Sequence, residues 1–168
     1  MSFEKLSEYW LKELNKYSEE QFARNPSDNG WSLGQVYMHL ILGNDHFFMK
    51  NAEICLNGEG ENMKGGKNKW GKILFAINGF PPMKFKRPGG AEAEPRQPES
   101  IEHIRGKLRA SMEKAKEVSD RLDGYNPNHK VRHPAFGYLN AKEWYRINIM
   151  HFKHHRRQKN RLDKFIGA

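Results

Sequence analysis

Residues 31–40 of this 168-residue chain read WSLGQVYMHL, and they predict the start of a long amphipathic helix. Ser32 stands three residues before Gln35, the spacing of a capping box, in which the hydroxyl and the amide side chain each satisfy a backbone N–H. Trp31 precedes the cap as a candidate hydrophobic staple. The helix is predicted to end at Asn57-Gly58. Its apolar residues form two stripes, Val36, Leu40, Phe47 and Ile54, and Tyr37, Ile41, Phe48 and Cys55. Two stripes predict a central helix covered by two neighbours.

Three further helices follow from the same kind of signal. The first has apolar residues at helical spacing between residues 3 and 17. The third begins after Ser100 as N-cap and ends at Asp123-Gly124. The fourth begins at a capping box of Asn140 and Glu143 and runs nearly to the end of the sequence. Since no segment shows a convincing alternation of apolar and polar residues, the sequence predicts an all-α fold, a four-helix bundle.

The connection between the second and third helices, residues 58–98, has a different composition. It is rich in Gly, Lys, Asn and Pro, and only residues 70–80 are apolar enough to pack as a short helix or turn. A connection of this length is unusual inside a compact domain, and it predicts a long crossover. Because 168 residues suit one core, residues 1–168 are predicted to form a single domain that contains this crossover.

Histidines stand where the helices can bring them together. His151 and His155 are four residues apart on the fourth helix, so their rings project from one face and can share an ion at about 2.0–2.1 Å from each nitrogen. His39 lies beside Val36 and Leu40 on the second helix, where a third imidazole can meet the pair across the core. Three neutral imidazoles with a fourth position left open suit a divalent ion such as Zn²⁺ or Ni²⁺ in a catalytic site.

Other arrangements of the histidines remain open at this point. His154 is a rival to His155, because spacing of i,i+3 also places two rings on one face. His46, two turns after His39, is a candidate contact to a ligand or substrate, as are His154 and Gln158. A single histidine is more often an ordinary core or surface residue, but three buried imidazoles without partners would leave unpaired polar atoms.

Two motifs resemble the DinB/YfiT-like superfamily of four-helix-bundle metalloenzymes. Residues 31–40 are similar to its W-S-x-x-Q-V-x-x-H-L opening of helix two, and residues 151–158 are similar to its H-x-x-H-H-R-x-Q helix. Residues 133–144, with His-Pro-x-x-Gly and then Trp144, resemble a subgroup of that superfamily. The resemblance implies a DinB-like bundle with a metal site of His39, His151 and His155.

The same resemblance implies an activity and partners. Some members transfer a low-molecular-weight thiol such as bacillithiol, mycothiol or glutathione to an electrophile, and others are hydrolases or thiol-dependent isomerases. A small-molecule substrate, a thiol co-substrate and a homodimer are therefore expected. A hydrolase would use the same three ligands, so the sequence leaves transfer and hydrolysis as alternatives.

Composition bears on location and on a non-catalytic alternative. Cys55 is the only cysteine, so no intramolecular disulfide can form, and neither a signal peptide nor a run of about 18 apolar residues is present. These features predict a soluble cytoplasmic protein. A net charge of +9 and a pI near 9.6 would suit a nucleic-acid-binding or stress-related module, with aromatic residues between the basic ones as stacking partners. These aromatic residues are Trp70, Phe75, Phe80 and Phe85. No recognised nucleic-acid motif supports this alternative, which the sequence favours less.

Overall fold

The computed structural model describes residues 3–80 and 94–168, and most of these residues are helical. In chain order the elements are α1 (Phe3–Glu13), a 3-10 turn (Leu14–Lys16), α2 (Glu19–Ala23), α3 (Leu33–Gly43), a π-helical turn (Asn44–Phe48), α4 (Met49–Leu56), β1 (Glu61–Asn62), α5 (Lys69–Ile77), α6 (Ile101–Asp120), β2 (His129–His133), β3 (Gly137–Asn140) and α7 (Ala141–Ile166). The all-α class predicted from the sequence is confirmed, with a small sheet added to it.

The second predicted helix is one continuous rod that starts at the predicted cap. Ser32 Oγ accepts a hydrogen bond from the N–H of Gln35 at 3.1 Å, and Gln35 Oε1 accepts from the N–H of Ser32 at 3.1 Å. The rod runs through α3, the π-helical turn and α4. In the π-helical turn the N–H of Met49 bonds to the carbonyl of Asn44, five residues back. This turn adds one residue to the helical repeat.

The extra residue corrects the predicted apolar stripes. Phe47 and Ile54, placed on the first stripe by a constant helical period, are only half-buried. Met49 and Ala52 are fully buried instead. A π-helical turn rotates every later residue relative to the residues before it, so the first stripe fails beyond Gly43. The second stripe of Tyr37, Ile41, Phe48 and Cys55 is buried over its whole length, as predicted.

The long helical segments α1, the α3–α4 rod, α6 and α7 pack around one apolar core. Trp10 of α1 meets Tyr37 of α3 edge to face, with ring centroids 5.1 Å apart, and the Tyr37 hydroxyl donates to the carbonyl of Trp10 at 2.9 Å. Phe3 and Phe152 make a similar contact between α1 and α7, at 5.2 Å. The first helix is shorter than predicted, because α2 follows it with a capping box of its own at Ser18.

A three-stranded antiparallel sheet, in the order β1-β2-β3, accompanies the helices although no segment of the sequence shows a convincing alternation. Lys130 pairs with Glu61 on one side and with Asn140 on the other. These strands have two to five residues each, too few for an alternating pattern to stand out. β2 and β3 pair as a hairpin, and β1, remote in sequence, adds to the edge of β2.

The long connection is structured at its beginning. The predicted short helix or turn at residues 70–80 is a helix, α5, capped by Asn68, whose side chain accepts from the N–H of Gly71. Arg146 of α7 holds the end of α5 by hydrogen bonds to Asn78 Oδ1 and to the carbonyl of Phe75, each 3.1 Å. The basic cluster of residues 84–87, including Phe85, lies outside the described residues. The single domain and the crossover over residues 58–98 stay predictions.

In the two described ranges, none of the helices combines the length and the apolar content that crossing a bilayer requires. The homodimer, the cytoplasmic location and the low expectation for nucleic acid stay predictions.

Candidate metal centre

Three imidazoles meet between α3 and α7. Nε2 of His39 lies 2.9 Å from Nε2 of His151, and Nε2 of His155 lies 3.1 Å from the same atom. Ligand nitrogens of the three residues all lie within 4.8 Å of one another. The structure therefore brings together the three histidines singled out in the sequence, although His39 and His151 are 112 residues apart.

Two capped helices present these side chains. On α7, His151 and His155 are one turn apart and share a face. The helix starts at the predicted capping box, in which Asn140 Oδ1 accepts from the N–H of Glu143 and Glu143 Oε2 accepts from the N–H of Asn140, each at 3.0 Å. His39 lies on α3, just before the π-helical turn.

Gln158 fixes the orientation of one ring. Its Oε1 lies 2.8 Å from Nδ1 of His155. Because an amide oxygen can only accept, Nδ1 carries the proton and Nε2 keeps its lone pair, which faces His151. Gln158 lies one turn beyond His155 on α7. The contact predicted for it to a candidate ligand is therefore this hydrogen bond to His155.

The surroundings keep the α7 rings neutral. Burial lowers the pKa of His151 well below its usual value, and the nearby rings of His155 and His39 lower it further. Burial also lowers the pKa of His155 to about 3, with a further contribution from His39, although the hydrogen bond to Gln158 acts in the opposite direction. A neutral imidazole is the form that binds a metal ion, so these two rings need not lose a proton first at pH 7.

The donor set fits a divalent ion. Nε2 of His151 lies about 3 Å from a nitrogen of each of the other two rings, which brings lone pairs together unless a proton or a cation lies between them. Nitrogens bound tetrahedrally at about 2.0–2.1 Å from an ion would be about 3.3–3.4 Å apart, so the rings would have to separate by only a few tenths of an ångström. Nδ1 of His151 is buried and has no hydrogen-bond partner within residues 3–80 and 94–168. The cluster is thus poorly satisfied by its own hydrogen bonds.

A family model described as the DinB superfamily matches residues 2–158. The chain belongs to the DinB superfamily. The matched region contains the three histidines and Gln158, and the resemblance seen in the sequence is confirmed. No curated protein matches the chain significantly.

In this member of the DinB superfamily, aromatic rings pack against the histidines. Trp31 lies beside His39 with ring centroids 5.1 Å apart, and Phe48 lies beside His151 at the same distance. Phe80, from the connection after α5, is 6.5 Å from His151. Sequence reasoning gave Trp31 only the role of a staple and left Phe48 and Phe80 out of the site. The W-S motif adjoining the helix that carries His39 was the available signal for Trp31.

A cavity of about 500 Å³ opens beside His39. Its described lining comes from the middle of α3 and from the segment before α6: Met38, His39, Leu42, Gly43, Glu94, Pro95 and Arg96. Gly43 also adjoins His151, because a Cβ built on Gly43 would be 3.5 Å from Cε1 of that ring. The cavity therefore reaches the edge of the histidine cluster. Nothing in the sequence pattern pointed to residues 94–96.

The other candidate residues lie around or away from the cluster. His154 is half-buried, with its ring 5.3 Å from His155 and 5.5 Å from Phe80, but it is not one of the three converging histidines. His46 is exposed on the π-helical turn. Contacts of His46 and His154 to a ligand or substrate stay predictions.

Two other groups that could have served chemistry are placed elsewhere. His133, whose pKa burial lowers to about 4, packs between Phe136 and Trp144 at 4.6 and 5.2 Å. Cys55 is buried on α4, and burial raises the pKa of its thiol to about 11. A thiol with so high a pKa is protonated at neutral pH and is a poor nucleophile.

Proposed function

We propose that this chain is a metal-dependent enzyme that transfers a low-molecular-weight thiol to a small electrophile at a centre formed by His39, His151 and His155. The observation that carries the proposal is the convergence of three imidazole nitrogens from two helices at the edge of a cavity. Zn²⁺ and Ni²⁺ are the ions whose preferences suit three nitrogen ligands with one position left open.

Different side chains of this chain would hold the ion and shield it from water. Nε2 of each histidine would hold the ion, and Gln158 keeps His155 in the tautomer that this requires. When bound, the ion supplies a positive charge that favours the thiolate form of a coordinated thiol at neutral pH. Trp31 packs against His39 and Phe48 packs against His151, so they exclude water from two sides.

The cavity supports a small-molecule substrate. About 500 Å³ lies within the range of about 300–1,000 Å³ that is usual for ligand pockets. Met38, Leu42 and Pro95 contribute apolar surface to it, and His39 contributes the chemistry at its inner end. A thiol and an electrophile could therefore meet at the centre without entering the apolar core.

Elemental analysis of the purified protein tests the centre. We expect about one divalent ion per chain, with His39→Ala and His151→Ala each losing it, because two imidazoles bind an ion far more weakly than three. His103→Ala and His129→Ala remove histidines outside the cluster and should keep the ion. A parent protein that binds no Zn²⁺, Ni²⁺ or Co²⁺ at any tested concentration would refute the centre.

The thiol is tested on the Co²⁺-substituted protein. Glutathione or bacillithiol should change the visible spectrum, because sulfur coordination alters the ligand field of the ion. A spectrum that no thiol changes would reject thiol transfer and favour hydrolysis at the same three histidines.

A further inference from the structure

The segment before α6 is held against the start of α3 by the side chains of the W-S-x-x-Q motif. Gln35 Nε2 donates to the carbonyl of Pro95 at 2.9 Å, and Ser32 Oγ donates to Gln97 Oε1 at 2.8 Å. Gln97 Nε2 in turn donates to the carbonyl of Ala23 at 2.6 Å. The same two side chains that cap α3 therefore hold both chain neighbours of Arg96, Pro95 at its backbone carbonyl and Gln97 at its side chain.

Arg96 is thereby placed at the cavity that contains His39. Arg96 lines that cavity and is exposed, and its side chain makes no hydrogen bond or ion pair with any residue of the two described ranges. Glu94 lines the cavity too, but it has an interaction of its own. An always-charged guanidinium, on a residue whose two chain neighbours are held, thus lies at the border of a partly apolar space.

We propose that Arg96 is a substrate-binding residue that anchors a carboxylate group of the small molecule reacting at the histidine centre. This inference rests on the proposed function, because it assigns a substrate-binding residue in the cavity that contains His39. A guanidinium presents two parallel N–H donors that match the two oxygens of a carboxylate. Met38, Leu42 and Pro95 would strengthen that contact by excluding water around it.

An ordinary surface arginine would differ in two respects. Its two chain neighbours would not both be held by side chains of another element, and it would not share a cavity with a candidate metal ligand. Arg109 is such a residue, because it is exposed on α6. Replacing it removes the same charge without touching the cavity, so Arg109→Met is the matched control for Arg96→Met.

The test uses zinc-loaded protein and measures the Kd by isothermal titration calorimetry for glutathione and for glutathione diethyl ester, which lacks free carboxylates. Loss of a charge-assisted bidentate contact should raise the Kd of Arg96→Met for glutathione by about 10- to 100-fold. The ester should bind parent and variant alike. Arg96→Lys keeps the charge but lacks the two parallel N–H donors, so its Kd for glutathione should fall between those of the parent and Arg96→Met. Arg109→Met should match the parent.

Three results would overturn the inference. Arg96→Met could bind glutathione as tightly as the parent does, or Arg109→Met could weaken it equally, which would assign the attraction to the general positive charge. Inorganic phosphate could bind the parent more tightly than glutathione does, in a way that depends on Arg96. That result would mean that Arg96 binds a phosphate group and not a carboxylate. Zinc content measured on the same samples separates the two proposals: full occupancy with no effect of Arg96 refutes only this inference, whereas an empty parent refutes the centre itself.

Discussion

Oε1 of Gln158 lies 2.8 Å from Nδ1 of His155, on the side of the ring away from His151. A hydrogen bond in this position leaves only Nε2 to act as a ligand and keeps the ring from turning. Such contacts behind a metal ligand commonly change metal affinity as much as some ligands do.

Replacing Gln158 should therefore weaken metal binding without removing a ligand. Gln158→Leu has no acceptor and should lower zinc affinity by about 10- to 100-fold. Gln158→Glu keeps an acceptor in the same place and should stay near the parental affinity. Competition with a chromophoric chelator measures all three proteins, and equal affinities would mean that the hydrogen bond does not support the ligand.

The register on α7 is tested by neighbouring histidines. His155→Ala should lose the ion, because Nε2 of His155 converges with that of His151, whereas His154→Ala should keep it. Metal content after exhaustive dialysis decides between them. The opposite result would make His151 and His154 the true pair on this helix.

A buried lysine joins α1 to α7. The Lys159 side chain is fully buried, and its Nζ contacts Glu13 and lies 2.6 Å from Oδ2 of Asp163. Lys159→Met leaves both carboxylates without this cation, and removing one partner of a buried ion pair costs about 3–5 kcal/mol. Urea unfolding should show that loss. Lys116→Met, in an exposed pair with Asp120, should leave the midpoint unchanged, and an equally small effect of Lys159→Met would contradict the prediction.

The same pair should make stability depend on acid pH. Burial raises the pKa of Glu13, but its hydrogen bonds to Lys159 and Lys16 outweigh this, so the pKa lies below 4.5 in the folded state. The folded pKa is depressed, so this stabilisation is present above pH 4.5 and is lost as the pH falls through the folded pKa. Glu13→Gln should lessen the fall in unfolding free energy below pH 4.5. Exposed Glu117→Gln should retain the parental profile, and a parental slope in Glu13→Gln would rule out this source.

At Gly34, α3 closely approaches the segment that carries Arg96. A Cβ there would lie 2.8 Å from Cγ and Cδ of Pro98, and a proline ring cannot move aside alone. Gly34→Ala should therefore destabilise the fold by about 1–3 kcal/mol despite the better helix propensity of alanine. Gly106→Ala, in α6 with nothing within 4 Å, should stabilise by about 0.5–1 kcal/mol. Thermal melts compare them, and a stabilised Gly34→Ala would show that the segment is not held closely.

Local patterns in the sequence were sufficient for the long helices and narrowed the candidate metal ligands to a few histidines. Ser32 with Gln35, and Asn140 with Glu143, cap their helices as predicted, because a capping box involves only residues three apart. The helical repeat left His154 and His155 as alternatives beside His151, and the resemblance of residues 151–158 to the family motif favoured His155. His39 could be added because its stripe had to face the same core.

What the tertiary structure decided involves contacts between residues far apart in the chain. β1 forms because Glu61 pairs with Lys130, far along the chain, and the two residues of β1 contain no pattern that predicts this pairing. The π-helical turn buries Met49 and Ala52 and leaves Phe47 and Ile54 only half-buried. Gln35 reaches Pro95 across 60 residues and so places Arg96 beside His39. These features depend on how whole elements pack, and packing is a sum of long-range interactions that a local repeat does not encode.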